Sequence, residues 1–144
     1  MAPKLNLAGF KAEYRIDVPE LDEQHKTFFD MLRSLEDAVS DMYRPLAEDE
    51  IDPVLDVMDE LRDYALTHFR TEESMMKDAG YPGLDKQKRE HNRFISDLLR
   101  MQAEVLNGAL VPAMKIRNFM HDWYRDHILK LDKPFGEYLS SRSS

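Results

Sequence analysis

Four stretches of this chain carry apolar residues at a three-to-four spacing, and metal-ligand residues interrupt every one. The first runs Leu21, His25, Phe28, Leu32, Leu35, Val39 and Met42. The second runs Ile51, Val54, Met58, Leu61, Ala65, His68, Glu72 and Met75. Leu84, Gln87, His91, Phe94, Leu98, Met101 and Val105 make the third, and Ile116, Met120, Trp123, His127 and Leu131 a looser fourth. This period belongs to amphipathic helices that turn one stripe to a core.

The punctuation between the stripes agrees. Asp17 and Pro19 suit the start of a first helix, Asp52-Pro53 the first turn of a second, and Pro112 the start of a fourth. Arg44-Pro45, Gly80-Tyr-Pro-Gly83 and Asn107-Gly108 supply the breaks. Pro134 disfavours helical geometry at Lys133, which puts the end of the last helix near Asp132. The expectation is therefore one all-α domain over residues 1–144, an antiparallel up-down-up-down four-helix bundle. Its parts are an N-terminal arm over 1–18, helices over about 19–43, 50–79, 84–107 and 112–132, and a tail over 133–144 that frays at its serines. Phe10, Tyr14 and Ile16 of the arm are available to pack on the bundle.

A lone histidine on an apolar stripe is ordinarily a hydrogen-bonded core residue. Four helices doing this together need a stronger reason, because each unpartnered buried imidazole or carboxylate costs several kcal/mol. His68 and Glu72 stand four apart and leave one face of their helix together. With His25, His91 and His127 on facing helices, they read as the donors of a metal site, and imidazole with carboxylate suits iron, zinc or copper better than calcium or magnesium. Asp132 follows His127 by five residues, roughly 140° round a regular helix. It would lie to the side of that histidine, where by itself it reads as a helix-end polar residue, although a carboxylate so placed can also bridge towards a second metal. His121 falls on the opposite side of the last helix with Asn118 and Arg125 and reads as solvated. Tyr64, Phe69 and Tyr124 flank the histidines, with core packing as their expected role, and the nine methionines fill stripe positions as adaptable packing.

Composition narrows the classes of function. With no cysteine among 144 residues, disulfides, iron–sulfur clusters and thiol catalysis are excluded. A net charge of −8 without a basic cluster argues against nucleic acid or anionic membrane as a partner. No stretch has the length of a membrane span and no secretory pattern opens the chain, so the expected location is the cytoplasm. Neither a nucleophile arrangement nor a phosphate-binding glycine loop is present, and the chain does not read as an enzyme.

Asp22-Glu-Gln-His25, His68-Phe-Arg-Thr-Glu72-Glu73, Gly80-Tyr-Pro, Glu90-His91-Asn-Arg-Phe94 and Trp123-Tyr-Arg-Asp-His127-Ile128 followed by Asp132 occur in the order and spacing of the bacterial haemerythrins. The resemblance covers about residues 10–139. It implies a non-haem di-iron centre, bridged by carboxylates and an oxo or hydroxo group, that binds O2 reversibly in the bundle. By the same resemblance Glu72 and Asp132 are the bridging carboxylates. His25 and His68 hold the iron with an open position for O2, a small anion or nitric oxide. His91 and His127 hold the other. The family supplies a third histidine to that second iron, four residues before His91, and here Gln87 occupies the position.

A glutamine there either coordinates weakly through its oxygen, hydrogen-bonds a water in the vacant position, or leaves the position open. Each alternative exposes the second iron and is expected to speed autoxidation. Phe10 replaces the family's arm tryptophan, and Phe10, Phe28, Phe69 and Trp123 are expected to wall the O2 pocket. The functions implied are O2 carriage or delivery, O2 or redox sensing by a domain excised from a larger signalling protein, or a peroxide- or nitric-oxide-reactive di-iron enzyme.

Overall fold

The computed structural model describes residues 10–108 and 110–142. All regular structure among them is helical, and the fold is a four-helix bundle. The helices are α1 (Pro19–Leu32), α2 (Ser34–Asp37), α3 (Ile51–Asp78), α4 (Leu84–Leu106), α5 (Ala113–His127) and α6 (Lys133–Arg142), with a π-helical turn over Ile128–Asp132 joining the last two. The histidines meet with His25 midway along α1, His68 late in α3, His91 early in α4 and His127 last in α5. That requires α3, α4 and α5 to alternate in direction.

The core is built by the stripe residues. Leu21, Phe28, Leu32, Val54, Met58, Leu61, Phe94, Leu98, Ile116 and Met120 are all inaccessible to solvent. At the end of α3 the backbone closes in a Schellman turn, with the Tyr81 amide bonding the Met76 carbonyl and the Gly80 amide the Lys77 carbonyl. Gly80 takes φ +64° there, a left-handed conformation that glycine adopts without steric cost. Pro45 and Pro112 form a single antiparallel bridge between the two loops at the far end of the bundle.

Three expectations need correction. The first helix stops at Leu32, and after one turn at Arg33 the short α2 ends at Asp37, well before residue 43. Val39 and Met42 still pack on the core from the loop, so their spacing reported burial without reporting helix. The last helix, conversely, does not end at Asp132. Lys133 is helical at φ −60°, ψ −44° and α6 runs on to Arg142. In a regular helix a proline removes a hydrogen bond and collides with the carbonyl four residues back. The π turn bonds five residues back instead, Lys133 N–H to the Ile128 carbonyl, and Pro134 follows in the first turn of α6, where it is tolerated. Phe135 is then buried edge-on to Tyr81 at 5.0 Å, and Gly136 lies against the arm, where a side chain would run into the Ile16 carbonyl.

His121 is the third correction. It is only 5% exposed, with its ring edge-on to Phe29 at 5.5 Å and Nδ1 3.0 Å from Asp122 Oδ1. The arm is the reason for its burial. Tyr14 stacks on Phe29 at 5.5 Å and lies close enough to Asp122 and Arg125 to feel their charges, so the arm covers a side of α5 that periodicity assigns to solvent. The first nine residues of the arm, Ala109 and the last two serines lie outside the described residues.

Candidate metal centre

Two donor groups form at one end of the bundle. His25, His68, Glu72 and Asp132 make one, and Glu72, His91 and His127 the other, with donor atoms in each group within 4.8 Å of one another and every residue buried. Glu72 belongs to both. Its Oε1 contacts His68 Nε2 and lies 3.5 Å from His25 Nε2, while Oε2 faces His91 Nε2 at 3.9 Å. Asp132 divides itself the same way, Oδ2 standing 3.1 Å from His25 Nε2 and Oδ1 3.3 Å from His127 Nε2. Each carboxylate thus gives one oxygen to each histidine pair.

Asp132 reaches this position through the π turn. Five residues past His127 on a regular helix it would point aside, as the sequence leads one to expect. Hydrogen bonding five residues back stacks the two one above the other instead, and the offset expected for Asp132 is corrected to a shared face.

The donor set fits a pair of cations on its own chemistry. Both nitrogens of His25, His68 Nε2, both Glu72 oxygens and Asp132 Oδ2 are buried without a hydrogen bond. A protein seldom leaves so many polar atoms unsatisfied in one place. Cations among the Nε2 atoms and carboxylate oxygens satisfy all of these but His25 Nδ1 together, as histidine–carboxylate sites do. Two of the outward ring nitrogens are already fixed. His68 Nδ1 lies 2.6 Å from Gln24 Oε1 and His91 Nδ1 2.8 Å from Glu73 Oε2, contacts that set the tautomer and aim Nε2 inward. Sequence reading assigned neither residue a role. The available signal was adjacency, since Gln24 precedes His25 and Glu73 follows Glu72.

The electrostatics follow from crowding. Burial by itself pulls the His25 imidazole down, but Asp132 and Glu72 beside it win and raise it to about 9. Burial would raise the Asp132 carboxyl, yet His127 and His25 hold it well below the usual range. His91 is pushed down, chiefly by burial, while His127, also opposed by burial, is raised by Asp132.

Gln87 is 1% exposed and turns its amide nitrogen to Asp132 Oδ1, 3.0 Å away, leaving Oε1 without a hydrogen bond. In this geometry the amide donates to the shared carboxylate. With both carboxylates shared, His91 and His127 complete the second group as His25 and His68 complete the first, and Gln87 adds no further donor nitrogen.

The aromatic residues divide unequally. Phe69 lies flat on His91 at 3.9 Å and Trp123 on His127 at 4.4 Å, which places both rings against the second group. Phe28 is fully buried and stacks at 3.6 Å on Tyr124, whose ring is 6.1 Å from that of His68. Phe10 packs on Tyr14 at 6.0 Å and Phe29 at 6.3 Å in the arm's own outer layer, while Tyr124 stands nearer the histidines. A pocket of about 320 Å³ opens between α4 and α5 onto His127, with Lys86, Glu90, Trp123 and Lys130 on its walls. Among the described residues no helix is long and apolar enough to cross a membrane.

Comparison with known proteins agrees with this geometry. Residues 17–139 match the family model described as Hemerythrin HHE cation binding domain. A bacteriohemerythrin of Methylococcus capsulatus is 34% identical over 130 residues, spanning 90% of this chain and 94% of the relative. One from Stenotrophomonas maltophilia is 28% identical over 135 residues, spanning 94% and 83%. The crystal structure of a wild-type hemerythrin superposes with a TM-score of 0.74 at 30% identity, covering 88% of this chain and 92% of that one. The chain belongs to the haemerythrin family.

Proposed function

We propose that this protein binds O2 reversibly at a di-iron centre held by His25, His68, Glu72, His91, His127 and Asp132, and that Gln87 adapts the centre to rapid oxidation. The observation that carries the reading is the pair of carboxylates, each offering one oxygen to each histidine pair inside a dry bundle. Bound as a ferrous pair, iron supplies the two electrons that O2 uptake draws on. The chain does the rest. Glu72 and Asp132 hold the two cations at one spacing, and Gln24 and Glu73 keep His68 and His91 aimed inward. Phe28 and Tyr124 keep bulk water from the subsite of His25 and His68.

Carriage and sensing share this chemistry, and the Gln87 geometry favours sensing. With its amide nitrogen donated to Asp132 Oδ1, Gln87 supplies no imidazole nitrogen to the second subsite. The subsite of His91 and His127 lies beside the pocket that opens onto His127, where water or a small anion can reach it. A centre built this way oxidises readily, which suits a cytoplasmic reporter of O2 or redox state better than a store.

The test is anaerobic loading with ferrous iron, an iron count per chain, and visible spectra during O2 addition and removal. Two irons per chain and a band that returns on removal, then decays on standing, are expected. One iron, or no response to O2, would overturn the reading.

A further inference from the structure

We propose that the Tyr124 hydroxyl is the hydrogen-bond donor met by a small accepting ligand, dioxygen or an anion, bound at the subsite of His25, His68, Glu72 and Asp132. Tyr124 is 1% exposed and its hydroxyl has no hydrogen-bond partner. A phenol in a dry core ordinarily finds one, because leaving it unpaired costs about 1–3 kcal/mol. A space-filling ring would be served by phenylalanine, which does not carry that cost.

The ring cannot swing away to find a partner. Phe28 stacks on it at 3.6 Å, Phe94 meets its face or edge at 5.6 Å, and Phe69 lies at 6.0 Å on a third side. The His68 ring is 6.1 Å away, and Glu72 and Asp132 are near enough for their charges, after burial, to help raise the phenol well above its ordinary value. The group therefore keeps its proton at neutral pH and has it free to donate. Both carboxylates that act on it are shared by the donor groups, so its neighbourhood is the metal subsite itself.

This inference rests on the O2-binding reading, and azide serves as the probe. Tyr124→Phe removes one oxygen and keeps the stack. Iron-loaded, oxidised protein is titrated with azide in the visible range, and the metal-free forms are melted in parallel. With iron per chain equal to wild type, azide should bind about tenfold more weakly, the loss of one hydrogen bond to a charged acceptor. The metal-free variant should melt at or above the wild-type temperature, since an unpaired hydroxyl has gone. Unchanged azide affinity overturns the inference. So does a lower metal-free Tm or a loss of iron, either of which would give the hydroxyl a structural partner. If the wild type itself takes up no iron or gives no azide band, the O2-binding reading falls and this inference with it.

Discussion

His127 and Asp132 stand 3.3 Å apart, Nε2 to Oδ1, although five residues separate them. Only the π turn between them allows this, since bonds running five residues back bring such a pair into line. Removing one residue from that turn, by deleting Lys130, should restore a regular helix in which the aspartate follows His127 by four residues and keeps the shared face. The expected outcome is an almost unchanged far-UV circular dichroism spectrum with iron per chain close to that of the wild type, whereas Asp132→Ala should lower it by at least half. Loss of iron from the deletion variant would mean that the π turn does more than align the pair.

Gln87→His replaces the amide that donates to Asp132 with an imidazole one turn before His91. Iron should be retained better, and the oxygenated protein should autoxidise more slowly, by roughly tenfold if one bond's worth of stabilisation is gained. The half-life of the visible band after oxygenation measures it. Equal half-lives would remove Gln87 as the cause of rapid oxidation.

Gln24 and Glu73 touch the outward nitrogens of His68 and His91, and each should act on its own subsite. Partners of this kind change metal affinity by about 10–100-fold. Chelator competition on Glu73→Ala should therefore release one iron early and the other at the wild-type rate, with Gln24→Ala weakening the other member of the pair. Simultaneous loss of both irons in either variant would contradict the division of labour.

The metal-free chain should respond to pH through His25. Burial works against the charged imidazole, but Asp132 and Glu72 raise it to about 9 from an ordinary 6.5. A raised value means that the folded state holds the proton more tightly than the unfolded chain. This contribution to stability is complete below pH 6.5 and is lost as pH rises through 9. Melting of the metal-free protein between pH 6 and 10 should show that fall. Loading with iron must expel the proton, so the loaded protein should lose the dependence. A flat metal-free profile over that window would count against the charged pairing.

The stripes, their breaks and the ordered histidine motifs made the bundle and most of the candidate donors legible, because burial at three-to-four spacing is a local property of a helix. His68 with Glu72, and Gln87 with His91, needed nothing beyond that spacing. Val39 and Met42 show its limit. They pack on the core from a loop, and a stripe records burial whether or not the backbone is helical.

What the chain order alone determined is which side chains leave which helix face, and therefore that four helices carry donors inward. Tertiary packing decided the rest. It laid the arm over His121, continued the last helix past Pro134 by way of a π turn, and brought Asp132 under His127. It also turned the Gln87 amide onto that carboxylate and enclosed the Tyr124 hydroxyl among Phe28, Phe69 and Phe94. None of these follows from a regular period, because each depends on a neighbour distant in sequence or on a departure from the regular helix.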